Sequence, residues 1–511
     1  MGRVTVRLAI VSTRERVMNR MLRGGMPWLL GLSSCLGAAA SGQESWDVIH
    51  VQGQRVGTLH VRVEPLKDKA GHALQRVRVD MDLKFKRAEG LAHLTQRWGT
   101  IETPDGQILS LDVRTKPAES ETRTFGVVKD GVMKLTVAGG GNSQTSEIPW
   151  GDDVRGPYGA EMSFSRSKIK AGETRKIRTF IADFNRICVT TLVADKLEEI
   201  ELGPKNAKRT LMRVESTIAD LDGKAHLEMT ATMWVDDTGQ ILKTHSEMLG
   251  GTDFYRTTFA GAARGAGTER FDLLAASIIK CRVIPQAESV RSIVYRVTTK
   301  GDAVTDLFPN DRRQTAMVGA TKATATLLVN SLGKDEGSAE AEPGPEYLRP
   351  NPLIDSEDAT VVAHTRRAVG KIVDPWAKAV AIEHWVAVNI KDKNFNVGFA
   401  PAREVAAHLE GDCSEHSVLV AAMCRAAGIP ARCVVGVVYS EKVGGFGPHM
   451  WNEVYVNKRW VAIDAAFDQS VVDPTHLKIS ASSLDGIAPF EVFTPVLTLF
   501  GQVKIEPIEI R

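Results

Sequence analysis

Gly411-Asp412 breaks the chain just before Cys413, and Ser414 to Ala427 reads as one helix closed by Gly428 and Pro430. This constrains the fold more than any other stretch, because it fixes a thiol at a helix N-terminus. Unpaired backbone N–H groups and the helix dipole there favour thiolate over thiol. Downstream, Ala431 to Ser440 is a valine-rich strand, and Glu441 to Pro448 reads as a loop. His449 opens the strand Trp451 to Val456, Asn457-Lys458 makes a tight turn, and Arg459 to Ile463 returns to Asp464. A hairpin sets the start of one strand beside the end of the other. His449 and Asp464 are therefore expected to face each other, with the carboxylate fixing the imidazole's tautomer. Packed on the Cys413 helix, the hairpin completes a Cys-His-Asp triad.

The pattern resembles the transglutaminase-like branch of the papain-like cysteine enzymes. The residues that carry it are Gly411-Asp412-Cys413, Arg425 to Arg432, Val435-Gly436-Val437, His449, Trp451, Glu453, Trp460 and Asp464. The resemblance spans about Leu348 to Asp473 and implies a central helix packed on a small antiparallel sheet. It also implies Cys413 as nucleophile, His449 as general base and acid, and Asp464 as the orienting carboxylate. Trp451 and Glu453 follow His449 with period two, so they are expected to share its face and shape the cleft, or in the case of Trp451 to pack. Asp412 is expected to cap the helix or polarise the nucleophile's loop. His416 is the rival base, and it lacks an orienting partner in the sequence pattern. Cys413, His416, His449 and Asp464 have zinc-ligand chemistry but no paired Cys-x-x-Cys or His-x-x-x-His core, so neither metal nor cofactor is expected.

The rest of the chain reads as mostly β before an α+β catalytic domain. The expected organisation is an export signal region over 1–42, a β-rich domain over 43–265 and a small β-rich unit over 270–332. An acidic connector over 333–344, the transglutaminase-like domain over 345–480 and a C-terminal tail over 481–511 packing on it complete the chain. The clearest front-half hairpin is Ala225 to Val235 with Ile241 to Met248 around Asp236-Asp237-Thr238-Gly239. Helical patterns over Ala359 to Ile372 and Trp376 to Ile390 precede the cysteine. The second presents Ala377, Val380, Ala381, His384, Trp385 and Val388 as its apolar face.

Composition is that of a globular protein, with 43% hydrophobic and 25% charged residues. A formal net charge of +2 and the lack of a Lys/Arg run argue against a nucleic-acid partner. Arg20 and Arg23 precede the apolar run Met26 to Leu36, and small residues follow, which is the layout of an export signal. Cleavage after Ala40 or Gly42 is favoured over a lipobox reading of Leu32-Ser33-Ser34-Cys35, which would make Cys35 a lipid-bearing N-terminus. The mass of the mature N-terminus separates the two. The expected location is thus the periplasm or cell envelope, with lipoprotein anchoring as the alternative. Cys188 and Cys281 are expected as two buried thiols rather than a bridge.

The expected reaction is attack on an acyl carbon through a thioester. Water as acceptor, acting on a protein or peptide substrate, makes a protease or amidase. An amine acceptor makes a protein-glutamine cross-linking transferase, and a non-catalytic envelope-binding protein is the third reading.

Overall fold

The computed structural model describes residues 44–511, apart from 88–89, 118–121, 140–141, 157, 183, 203–207, 227–228, 265–270, 301–303, 392–399 and 486–493. The signal region and Cys35 lie outside the described residues. The protein is mostly β and divides into two compact units that part between Leu273 and Leu274.

The first unit is a long meander of antiparallel strands. Its first half comprises β1 (Glu44–Val51), β2 (Gln54–Lys67), β3 (Ala73–Arg87), β4 (Gly90–Glu102), β5 (Ile108–Pro117), β6 (Thr122–Lys129), β7 (Val132–Gly139) and β8 (Asn142–Pro149). Its second half comprises β9 (Val154–Arg155), β10 (Thr174–Ile181), β11 (Arg186–Glu201), β12 (Lys208–Asp220), β13 (Ala231–Val235), β14 (Ile241–Ser246) and β15 (Thr252–Thr257). The two halves join where β1 pairs β15. A bridge between Gln107 and Arg155 links the start of β5 to β9, so the sheet curls back on itself. Alternation explains the burial. In β2, for example, Leu59, Val61 and Val63 face inward while His60 and Arg62 face outward. The helix Gly159–Arg166 drops Phe164 onto Leu192, Val214 and Met233. The β13–β14 turn forms at Asp236, whose Oδ1 accepts from the Thr238 and Gln240 backbone N–H groups.

In the second unit, β20 (Ala431–Ser440) lies between β21 (Gly445–Val456) and β23 (His476–Ser482). The far edge of β21 pairs with both β22 (Arg459–Ile463) and the short β16 (Ile279–Lys280). A second sheet has the order β18 (Gln314–Val318), β19 (Thr324–Asn330), β17 (Ser292–Thr299), β24 (Val503–Ile510), so the C-terminal strand closes it. Buried bonds tie the two sheets. The Arg313 guanidinium donates to the carbonyls of Asp473 and His476, and Gln314 exchanges bonds with the Lys478 backbone. Residues 333–344 lie along the β21–β22 hairpin: Glu340 accepts from the Trp460 N–H, and its own carbonyl accepts from the Tyr455 hydroxyl.

Helices Ala359–Val369, Pro375–Asn389 and Ala402–His408 pack around the helix Cys413–Ala426, whose residues from Ser414 to Arg425 are all buried. Asp374 caps the second of them with Pro375 at its first position, as the Asp-Pro pair requires. The buried face of that helix differs from the expected one. Ala379, Ile382, Glu383 and Val386 are inside, and His384 is exposed, bonded to Asp468 at 2.9 Å. The helix is apolar on two sides, so periodicity alone could not choose between them. Cys188, Cys281, Cys413, Cys424 and Cys433 form no disulfide among the described residues. No helix among the described residues is long and apolar enough to cross a membrane.

Candidate active site

Cys413 is the first residue of its helix, and it is partly exposed. Asp412 is the N-cap: its Oδ1 accepts from the Ser414 N–H at 2.8 Å, and Glu415 reaches back to the Asp412 N–H at 2.9 Å. This is a capping box, and the Asp-x-x-Glu spacing is its sequence signal. Glu415 also accepts from the Ala400 N–H at 2.9 Å, which ties the chain just before the helix Ala402–His408 to the Cys413 turn.

The hairpin forms because Asn457 and Lys458 both accept positive φ, 50° and 60°, as a two-residue turn demands. It sets His449 on β21 and Asp464 just past β22. The His449 Nε2–H donates to Asp464 Oδ2 at 2.7 Å, and both side chains are buried. The imidazole stacks on Phe467, centroids 4.6 Å apart and planes 14° from parallel. Cys413 packs against the same Phe467 and Ala466, with the Met450 backbone N–H, next to His449, on its side. Thiol, imidazole and carboxylate are thus gathered by one helix end and one hairpin.

The sequence did not single out His476. From β23 its Nε2–H donates to the same Asp464 Oδ2 at 3.1 Å, and its Nδ1 lies 3.5 Å from Asp473 Oδ1. Asp464 Oδ1 meanwhile accepts from the Ala466 N–H at 2.8 Å. His449, Asp464 and His476 place their polar atoms within 4.8 Å of one another. The hydrogen bonds already use that carboxylate as an acceptor on both oxygens. Burial pushes Asp464 up, yet His449 and His476 hold it far below the ordinary carboxylate range.

The thiol behaves against the helix-terminus expectation. Burial pushes Cys413 well above an ordinary thiol, and the Asp412, Glu415 and Asp464 carboxylates add to this; the Met450 N–H opposes them. Two of these carboxylates belong to the capping box itself, so burial and the local charges together favour the neutral thiol.

The other expected residues have distinct places. Trp451 is fully buried among Val434, Ala462 and Val472, its ring centroid 5.3 Å from that of His476 and nearly perpendicular to it. Glu453 sits in a buried ion cluster: Lys478 Nζ donates to it at 2.9 Å and Arg432 Nε at 2.7 Å. Burial raises Glu453, but Lys478 and Arg432 hold it at about 2. His416 donates from Nδ1 to the Asp412 carbonyl at 2.6 Å, so it braces the helix start.

Glu383 was also missed, because it lies outside the face of its helix that the sequence presents as apolar. Burial pushes its carboxyl to about 9, with Asp468 and Asp464 adding to the rise, and Ser470 donates to it at 3.3 Å. Its surroundings thus favour the neutral acid, near the Asp464 carboxylate. A raised carboxyl contributes full stability below pH 4.5 and loses it as pH climbs toward 9. Glu383→Gln is therefore expected to raise Tm by several degrees at pH 7, from roughly 3 kcal/mol, and to leave it unchanged near pH 4.5. Thermal melts at the two pH values check this; an equal shift at both contradicts it.

Residues 363–465 match the model of the Transglutaminase-like superfamily. The chain holds a transglutaminase-like core. The match takes in Cys413, His449 and Asp464, and it covers about a fifth of the chain. An uncharacterized protein of Haemophilus influenzae is 29% identical over 146 residues, covering 24% of this chain; the chain spans only 39% of that relative. Among solved structures, a candidate cysteine protease from Cytophaga hutchinsonii covers 42% of this chain and 83% of its own, at 16% identity and a TM-score of 0.28. A β-barrel-like protein of a domain of unknown function from Brucella abortus covers 42% of this chain and 95% of its own, at 12% identity and a TM-score of 0.30. A candidate protease from Parabacteroides distasonis covers 73% of this chain and 68% of its own, at 11% identity and a TM-score of 0.20.

Proposed function

We propose that this protein is a thiol-dependent acyl-transfer enzyme that hydrolyses peptide or amide bonds with Cys413, His449 and Asp464. The observation that carries the reading is the buried His449–Asp464 hydrogen bond of 2.7 Å beside a partly exposed thiol at a helix N-terminus. Because Nε2 is committed to Asp464, Nδ1 is the ring atom for the thiol's proton. In the first step the Cys413 proton moves to Nδ1 while sulfur bonds the acyl carbon, and the carbonyl oxygen becomes an oxyanion. The Cys413 backbone N–H, which as a first-turn donor has no helical partner, supports that charge. Collapse breaks the C–N bond, and the imidazolium gives its proton to the leaving amine. Water then loses a proton to Nδ1, attacks the thioester and releases the acid, restoring the thiol.

The acceptor is assigned as water on the export-signal expectation, which places the substrate among proteins or peptides of the periplasm or cell envelope. A peptide mixture containing glutamine, incubated with and without a labelled primary amine and beside Cys413→Ala, tests this. New peptide termini or ammonia, without amine incorporation and absent in Cys413→Ala, is the expected result. Amine incorporation that depends on Cys413 would replace hydrolysis with cross-linking, and turnover surviving in Cys413→Ala would overturn the thiol chemistry.

A further inference from the structure

In the first unit, β2 to β5 turn Val61, Val77, Val79, Trp98 and Val113 into the core. Their opposite face carries a concentration of arginines. Register sets Arg62 opposite Arg78, Arg97 opposite Arg114, and Arg114 opposite Arg123. Like charges directly opposite across antiparallel strands destabilise a sheet. Three such pairs on one face oppose folding, and the core beneath does not require them.

Carboxylates relieve only part of this. Asp80 accepts from Arg62 at 3.1 Å and Arg97 at 2.7 Å. Asp112 accepts from Arg123 at 2.7 Å and Arg114 at 3.3 Å, and Glu64 from Arg76 at 3.4 Å. Six guanidinium groups, those of Arg62, Arg76, Arg78, Arg97, Arg114 and Arg123, therefore face the carboxylates of Glu64, Asp80 and Asp112. Arg78 has no carboxylate or carbonyl partner among the described residues. Opposite it on β4 stands Gly99, which contributes no side chain. A cavity of about 460 Å³ opens over that glycine, lined by Arg76, Arg78, Arg97, Arg114, Ser110 and Asp112.

We propose that this cavity binds a phosphoryl group, presented either as a free phosphate compound or as a lipid headgroup. Guanidinium forks pair in a planar, two-bond geometry with phosphate oxygens. Among the described residues, four arginines and one carboxylate, Asp112, line the cavity, which suits a multiply charged oxyanion better than a single carboxylate. Binding would neutralise the cross-strand repulsion, so the anion stabilises the sheet that holds it. The arginines are solvent-accessible (Arg97 is 65% exposed), so the affinity weakens with added salt.

The test uses the full chain. Calorimetry measures inorganic pyrophosphate, and sedimentation measures vesicles of phosphatidylglycerol against phosphatidylcholine. Arg78→Gln is expected to weaken binding at least tenfold while leaving Tm without anion unchanged or raised, because it removes a like-charge pair. An arginine with a purely structural role would lower Tm instead. Gly99→Asp provides a second variant: a Cβ there meets nothing closer than 3.6 Å, so the strand tolerates it while the new carboxylate fills the cavity. Pyrophosphate binding that both variants lose, without vesicle binding, identifies a soluble phosphate compound. Phosphatidylglycerol binding that both lose identifies a headgroup. No binding of either probe, or variants that bind like the parent, overturns the proposal.

Discussion

Asparagine in place of Asp464 is expected to lower turnover roughly 10⁴-fold while the fold survives. Every contact of this carboxylate is with a donor: Oδ2 receives N–H bonds from His449 and His476, and Oδ1 receives one from Ala466. An amide has one oxygen and one NH₂, so a donor must meet a donor somewhere. If the NH₂ faces Ala466, a buried backbone N–H is left unpaired, at about 1–3 kcal/mol. If it faces His449, the ring must shift its proton to Nδ1, the atom that has to receive the thiol's proton. Either arrangement removes the negative charge that supports the imidazolium. Steady-state kinetics checks this, with circular dichroism to confirm the fold. A loss smaller than tenfold would mean that Asp464 serves only packing. His476→Gln tests the second donor, because glutamine keeps an N–H for Asp464 while discarding the ring. It is expected to move the pH profile less than Asp464→Asn does.

Removing the base is the second large effect. Cys413 faces the carboxylates of Asp412, Glu415 and Asp464, and burial already disfavours its charge. In the proposed mechanism the charge that compensates a thiolate there is that of protonated His449. His449→Ala is therefore expected to slow turnover and iodoacetamide alkylation of Cys413 together, by roughly 10²–10⁴-fold. Alkylation at neutral pH should then fall to the level of Cys281, whose thiol burial pushes up to about 12. Peptide mapping after timed labelling reads both sites in one sample. Undiminished labelling of Cys413 would show that the helix N-terminus generates the thiolate without the base.

The second result separates what the sequence made legible from what it concealed. The helix start at Cys413, the Asn457-Lys458 turn and the facing of His449 and Asp464 were all readable, because each depends on local backbone chemistry. The reactivity of the thiol was not. A helix dipole favours thiolate, but burial and the carboxylates of Asp412 and Glu415 oppose it, although the capping-box spacing of those two is visible in the sequence. His476 could not be found by spacing. It reaches Asp464 only because β23 joins the sheet on the far side of β20. Glu383 was hidden by a helix with apolar residues on two faces, where only the packing of neighbouring helices selects the buried one. The place of Glu453 in an ion cluster depends on Lys478 and Arg432, which lie on two other strands. That Arg78 has no carboxylate partner among the described residues likewise becomes visible only once strand register sets arginine against arginine.

The most direct test of the account is rapid mixing with a p-nitrophenyl ester, followed by acid quench and mass analysis of the Cys413 peptide. The triad predicts a burst of one equivalent of nitrophenol and an acyl adduct on Cys413, both absent in Cys413→Ala. Nitrophenol release without a burst, or an adduct on any other residue, would contradict it.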